Sequence, residues 1–282
     1  MDIQITIERI VNSLKGIKGV EAVVLGGSRA SGTFNEKSDI DIGIYYSEGS
    51  ILDLKELNIV ATKLDDSHRL DLVTSIGEWG PWINGGGWIT IDEVPTDFLF
   101  RDLKKVGSVI EDCLNKNITI DYQPGHPHGF VNAIYVAETF YCKVLWDKNE
   151  SISKLKNRIT PYPEAIKIGI INKFLWEAGF FIKIIKKSLS RNDIVYTTGC
   201  MYRIVSCLIQ VLYALNEVYI MNEKGAMDEI DFFQFQPADF IYRIEYILGA
   251  LSQNTEDVRN AIFNLSTITN EVEELCIEYI DD

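Results

Sequence analysis

"GGSRASGTFNEKSDIDIGIYY", residues 26–46, follows directly on the apolar run VEAVVL (20–25) and ends in a second apolar run that carries Asp39 and Asp41. The second run alternates strictly, the pattern of a half-buried strand. Ile40, Ile42 and Ile44 point one way, and Asp39, Asp41 and Gly43 the other. Two carboxylates on one strand face, roughly 6.5 Å apart at Cα, repel each other unless a cation sits between them. Small hard cations suit such a pair, since Mg²⁺ takes oxygen ligands at about 2.0–2.1 Å and keeps positions for phosphate. The plain alternative is an exposed edge strand with two solvated acids. The first run stops at Gly26-Gly27-Ser28. Glycine there lets backbone approach a phosphate, with Ser28 adding a hydroxyl and Arg29 a charge, or the segment is simply a turn.

Working outward, Ile7, Ile10, Val11 and Leu14 fall at helical spacing, as do Leu54, Leu57, Ala61 and Leu64, then Leu103, Val106, Ile110 and Cys113. Strands are expected at 70–75, 87–92, 96–101 and 117–122, with 87–101 a hairpin turning near Asp92-Glu93. After the PGHPHG loop (124–129) the texture becomes helical, with long apolar patterns over 164–187 and about 201–221. The fold class is therefore α+β: an N-terminal mixed sheet with flanking helices, followed by an all-α bundle. The chain of 282 residues divides into domains 1–124 and 125–282.

Composition narrows the partners. A net charge of −14 repels a phosphate backbone, so nucleic acid is disfavoured and a small or cationic partner is favoured. The longest nearly charge-free apolar stretch, Ile204 to Asn216, is too short to span a bilayer, so no membrane partner is expected. The start has no signal-peptide pattern, and five cysteines without CxxC or paired histidines read as reduced core thiols. The location these features imply is cytoplasmic.

The order strand, Gly-Gly-Ser, ten residues, then Asp-x-Asp on a strand resembles the DNA polymerase beta-type nucleotidyltransferase superfamily, which includes aminoglycoside and lincosamide nucleotidyltransferases. That signature covers residues 26–41. WGPWINGGGW (79–88), TDFLFRDL (96–103), GHPHGF (125–130) and NEKGA (222–226) are similar to two-domain bacterial members. The resemblance implies a nucleotidyltransferase sheet, Mg²⁺ (two ions), an NTP donor with ATP foremost, and a helical second domain closing the substrate cleft. It implies a third metal-binding carboxylate on a later strand beside Asp39 and Asp41. Asp97 in TDFLFR is the choice, with Asp71 in LDLV its rival and Asp92 a turn residue.

Five further positions complete the expected site. Gly27, Ser28 and Arg29 are set against the triphosphate, with Lys224 in NEKGA a second cation or else a Lys-Gly helix stop. Glu138, an acid within the apolar YVAETF, is the candidate general base or else a paired structural glutamate. His126 and His128 are bases or backbone contacts of their loop. Trp79, Trp82 and Trp88 around Gly85-Gly86-Gly87 form a ring-contacting loop or a packed hairpin rim. The leading function is Mg²⁺-dependent transfer of a nucleoside monophosphate to a small, aminoglycoside-like acceptor with release of pyrophosphate. The alternatives are a toxin-type transferase acting on tRNA or protein, and a nucleotide sensor without turnover.

Overall fold

The computed structural model describes residues 3–35, 37–47, 52–189 and 193–280. The chain forms two compact units that are not consecutive in sequence: residues up to Glu111 with Tyr135–Pro161, and Asp112–Ile134 with Tyr162 onward.

The first unit holds a five-stranded sheet in the order β3-β4-β2-β1-β7. Its strands are β1 (Val20–Leu25), β2 (Ile40–Tyr46), β3 (Gly86–Ile91), β4 (Val94–Asp102) and β7 (Lys143–Asp147). β2 runs parallel to β4, while β1–β2, β1–β7 and β3–β4 are antiparallel. The alternation read in IDIGIYY is what sorts the two faces. Ile40, Ile42 and Ile44 are fully buried with Phe98 and Phe100 of β4 and Ile89 and Ile91 of β3. Helices α1 (Ile3–Leu14) and α3 (Leu54–Leu64) close that core through Ile7, Ile10, Leu14, Leu57 and Ala61, the residues at helical spacing. Asp41, Asp97 and Trp88 are left on the opposite face.

β3 and β4 meet in a two-residue turn. Asp92 and Glu93 both have positive φ (53° and 66°), the conformation that matches the right-handed twist of a tight hairpin. Asp66 accepts from both turn amides, at 2.9 and 2.8 Å. Asp92 is thus a turn residue, its carboxylate taken by Thr6 and Arg9, each at 2.6 Å.

The strand expected at 70–75 does not form. Only Val73 bridges to Gly87, because Asp71 (φ 53°) and His68 (φ 51°) sit in left-handed turns. The strand expected at 117–122 shrinks to β5 (Ile120–Asp121), paired with β6 (Phe130–Val131). β7 lies among the residues read as all-helical; its five-residue run KVLWD is too short to show a period, and pairing with β1 makes it a strand. Between β6 and β7 lies α5 (Ile134–Tyr141), and after β7 comes α6 (Ser151–Arg158), started by Asp147 accepting from the amides of residues 151–153.

The second unit is mainly helical. α7 (Glu164–Ser188) packs along α8 (Ile194–Leu215), with α10 (Phe240–Gly249) and α11 (Thr255–Ile280) against them. α8 begins earlier than its apolar run suggested and is long and apolar enough to cross a membrane; 78% of its most apolar window is buried inside the protein. Burial nearly all round is the mark of a central bundle helix.

Candidate active site on the polar sheet face

Everything that assembles this site belongs to the first unit. β1 ends at Leu25, and the Gly26 amide donates to the Asp41 carbonyl at 2.8 Å, so the chain leaves β1 directly over the start of β2. Gly27 opens the short helix α2 (Gly27–Ser31) at φ 57°. A Cβ at Gly27 would lie 1.8 Å from Asp41 Oδ2, so only a glycine leaves room for the Asp41 carboxylate against this backbone. Gly26 carries no such constraint, its Cβ meeting nothing nearer than 3.6 Å.

Asp41 pairs in register with Asp97 across the parallel β2–β4 ladder. Of the two candidates for a third acid, Asp97 stands beside Asp41, while Asp71 is exposed in a loop and off the sheet. Asp39 stands just before β2, exposed, on the same alternation. Electrostatics agree with this grouping. Burial first, then the charges of Asp41 and Asp39, push the Asp97 carboxyl up to about 6. Asp41 is raised as well, by burial, then by Asp39 and Glu138, against a lowering by Arg29.

Arg29 works on the backbone. It is buried (7% exposed) and donates from Nε to the Asp39 carbonyl at 2.9 Å and from Nη2 to the Ser38 carbonyl. The guanidinium pins the segment that delivers Asp39 and Asp41, and reaches the site as a nearby charge. Ser28 is the second residue of α2, its carbonyl accepting from Gly32 and Thr33.

Glu138 of α5 has both oxygens engaged. Arg101, on β4 four residues beyond Asp97, donates to it from Nε (2.8 Å) and Nη2 (2.7 Å). Arg101 is 3% exposed, and the Glu138 charge holds its pKa above the ordinary value against the cost of burial. Both oxygens of this carboxylate are occupied by a buried guanidinium, which favours the paired structural glutamate over the general base. The signal for Arg101 was present in TDFLFR, where it shares the alternation of Asp97. Lys224 lies in the second unit, exposed, in the turn before α9 (Ala226–Ile230), so it does not cap a long helix.

His126 and His128 also belong to the second unit. Arg203 donates to the His128 carbonyl at 2.6 Å, and the His128 amide donates to Glu223 at 3.1 Å. Burial, then the Arg203 charge, bring the His128 imidazole down to about 4, so it is neutral and serves its loop. Trp82 is packed (8% exposed), its ring edge-on to Tyr135 at 5.5 Å. Trp79 and Trp88 stack on each other at 4.5 Å, and Trp88 is 63% exposed.

The donor set fits Mg²⁺ in a particular way. Among the described residues, no group of three or more His, Cys, Asp or Glu side chains is arranged to hold a metal ion by itself. Mg²⁺ seldom uses such a cage, and is usually bound by one or two carboxylates completed by substrate phosphate and water. Asp41 and Asp97, paired in register with the Asp41 charge helping to raise the Asp97 carboxyl, are a pair of that kind, with Asp39 at the rim.

Residues 6–82 match the family model described as a nucleotidyltransferase domain. This span holds Gly27, Ser28, Asp39 and Asp41 and stops short of Asp97. Residues 131–224 match a second model, a domain of unknown function (DUF4037), which takes in α5 to α8 and Lys224. A solved structure described as a nucleotidyltransferase-like protein from Exiguobacterium sibiricum 255-15 aligns over 99% of this chain and 78% of that one. Its TM-score is 0.41 at 10% identity. No curated protein matches the sequence.

Proposed function

We propose that this chain transfers a nucleoside monophosphate from an NTP, ATP foremost, to a small cationic acceptor and releases pyrophosphate. The observation that carries the reading is the Asp41–Asp97 register beneath the side-chain-free backbone of Gly27, inside the span that matches a nucleotidyltransferase domain. Asp41 and Asp97, with Asp39 at the rim, would hold Mg²⁺, which supplies charge stabilisation to a transferring phosphoryl group. The chain's own part is positional. Gly27 and Ser28 give the triphosphate a close approach beside Asp41, and Arg29 fixes the strand entry. The Arg101–Glu138 pair anchors α5 to the same sheet face. The net charge of −14 supports a cationic acceptor over an RNA chain. Five buried free cysteines support a cytoplasmic setting.

The test is a screen of the four labelled NTPs with Mg²⁺ against an aminoglycoside panel and total tRNA, with Asp39→Ala/Asp41→Ala as control. Label moving to an aminoglycoside, and lost in the control, supports the proposal. Label on tRNA instead moves the acceptor to the polymer class. Mg²⁺-dependent NTP binding with no transfer to any acceptor favours a sensor, and no Mg²⁺-dependent binding removes the site assignment.

A further inference from the structure

Three side chains far apart in sequence stand in one row across the sheet. Asp41 pairs with Asp97, and Asp97 pairs across the hairpin with Trp88. Paired residues share a face, and at a strand spacing of about 4.8 Å Trp88 lies one strand from Asp97 and two from Asp41. The other end of the row is Gly27, against the far side of Asp41. Trp88 fills no core: its neighbour Ile89 is buried on the opposite face, while Trp88 itself is 63% exposed. It is held flat by Trp79, with ring centroids 4.5 Å apart and planes 24° from parallel. Gly86 lies against that support: a Cβ there would come within 1.8 Å of the Phe98 carbonyl oxygen and 2.9 Å of the Trp79 ring.

We propose that the Trp79–Trp88 stack is the acceptor platform of this site, taking the ring face of a small acceptor that carries positive charge. The inference rests on the nucleotidyltransferase reading and deepens it. In that transfer a lone pair on an acceptor oxygen or nitrogen forms a bond to the α-phosphorus. The bond from that phosphorus to the bridging oxygen breaks, pyrophosphate leaves with the electron pair, and the acceptor's proton passes to water. Attack and departure are in line, so acceptor and pyrophosphate occupy opposite sides of the α-phosphate. With the pyrophosphate toward Gly27 and Ser28, the acceptor side of the row is Trp88. Tryptophan is the strongest cation–π partner among the aromatic side chains, and the net charge of −14 adds negative potential around it. An amine-bearing ring gains from both features, and an anionic ring from neither.

Calorimetry on the full chain tests this, with Mg²⁺ and a non-hydrolysable ATP analogue present and deoxystreptamine as the probe. Inositol serves as the uncharged ring. Trp88→Ala is expected to weaken the probe about tenfold, as loss of a cation–π contact of ~1–2 kcal/mol implies. Trp88→Phe should keep most of the affinity, and the ATP analogue should bind both variants as it binds the wild type. Unchanged probe affinity in Trp88→Ala overturns the platform. So does a wild type that binds nucleotide but not the probe, or that binds inositol equally well. Loss of the ATP analogue in Trp88→Ala overturns it too, by placing the nucleobase on the ring. Absence of Mg²⁺-dependent nucleotide binding in the wild type is a separate result, which removes the underlying reading.

Discussion

Asp97 is the residue whose behaviour reports most directly on the site. Its carboxyl, ordinarily near 3.8, is pushed up to about 6 by burial and by two neighbouring carboxylates. Between those values the folded protein binds a proton that the unfolded chain has released, so this group's contribution to stability falls as pH rises through the window. Without a cation, Asp97→Asn is expected to stabilise the protein at about pH 8. The size is ~1 kcal/mol, or roughly 2–4 °C, after discounting for solvent screening. Mg²⁺ should raise the melting temperature of the wild type at about pH 8 and much less at about pH 5, where Asp97 is protonated, and Asp97→Asn should flatten that difference. Thermal melts at the two pH values, with and without Mg²⁺, check both. A variant less stable than wild type under these conditions contradicts the account of mutual repulsion. The adjacent glycines provide a second contrast. Gly27→Ala sets a methyl group against the Asp41 carboxylate at a left-handed φ, and is expected to cost at least tenfold, about 1.4 kcal/mol, in Mg²⁺-dependent ATP binding. Gly26→Ala, with only ordinary contacts, should leave binding near wild type.

At the scale of elements, the buried fork between Arg101 on β4 and Glu138 on α5 joins a strand to the helix that covers it. Glu138→Gln leaves a fully buried guanidinium without its counter-charge, which costs about 3 kcal/mol or more in such settings. The expected result is a large fall in melting temperature. If Glu138 acted as a general base, Glu138→Gln would melt like the wild type and lose turnover alone, so denaturation curves beside the transfer assay separate the two roles. The same elements show which parts of the fold could be read in advance. IDIGIYY announced its two faces because isoleucine and aspartate alternate without a break, and TDFLFR did the same for Asp97 and Arg101. Counting back from the Asp92-Glu93 turn also pairs Trp88 with Asp97, so that part of the row was legible in the hairpin. LDLVTS has a strand's composition, yet left-handed residues on either side of Leu70 turn it into a loop. KVLWD becomes a strand only through its long-range pairing with β1, which no local pattern encodes. The Arg101–Glu138 contact spans 37 residues and joins two segments that each looked self-contained.

For the molecule as a whole, the charge of −14 acts on whatever approaches it. A polyanion meets long-range repulsion, while a polyamine is drawn in by a field that salt weakens, over a Debye length of about 10 Å at ~0.1 M. The carboxylates on the polar face act at closer range, where screening is weaker. Salt should therefore separate the two contributions. Raising monovalent salt from ~0.05 to ~0.5 M is expected to weaken deoxystreptamine binding several-fold in the wild type. In Trp88→Ala the affinity should stay about tenfold lower at both salt levels and fall in parallel on a logarithmic scale, because a cation–π contact less sensitive to bulk salt than an exposed ion pair adds a nearly constant free energy. Titrations of both proteins at the two salt levels give the comparison. A gap between the two proteins that closes as salt rises would mean that the ring contributes nothing the general field does not, and an affinity independent of salt would mean that the acidic surface plays no part in choosing the acceptor.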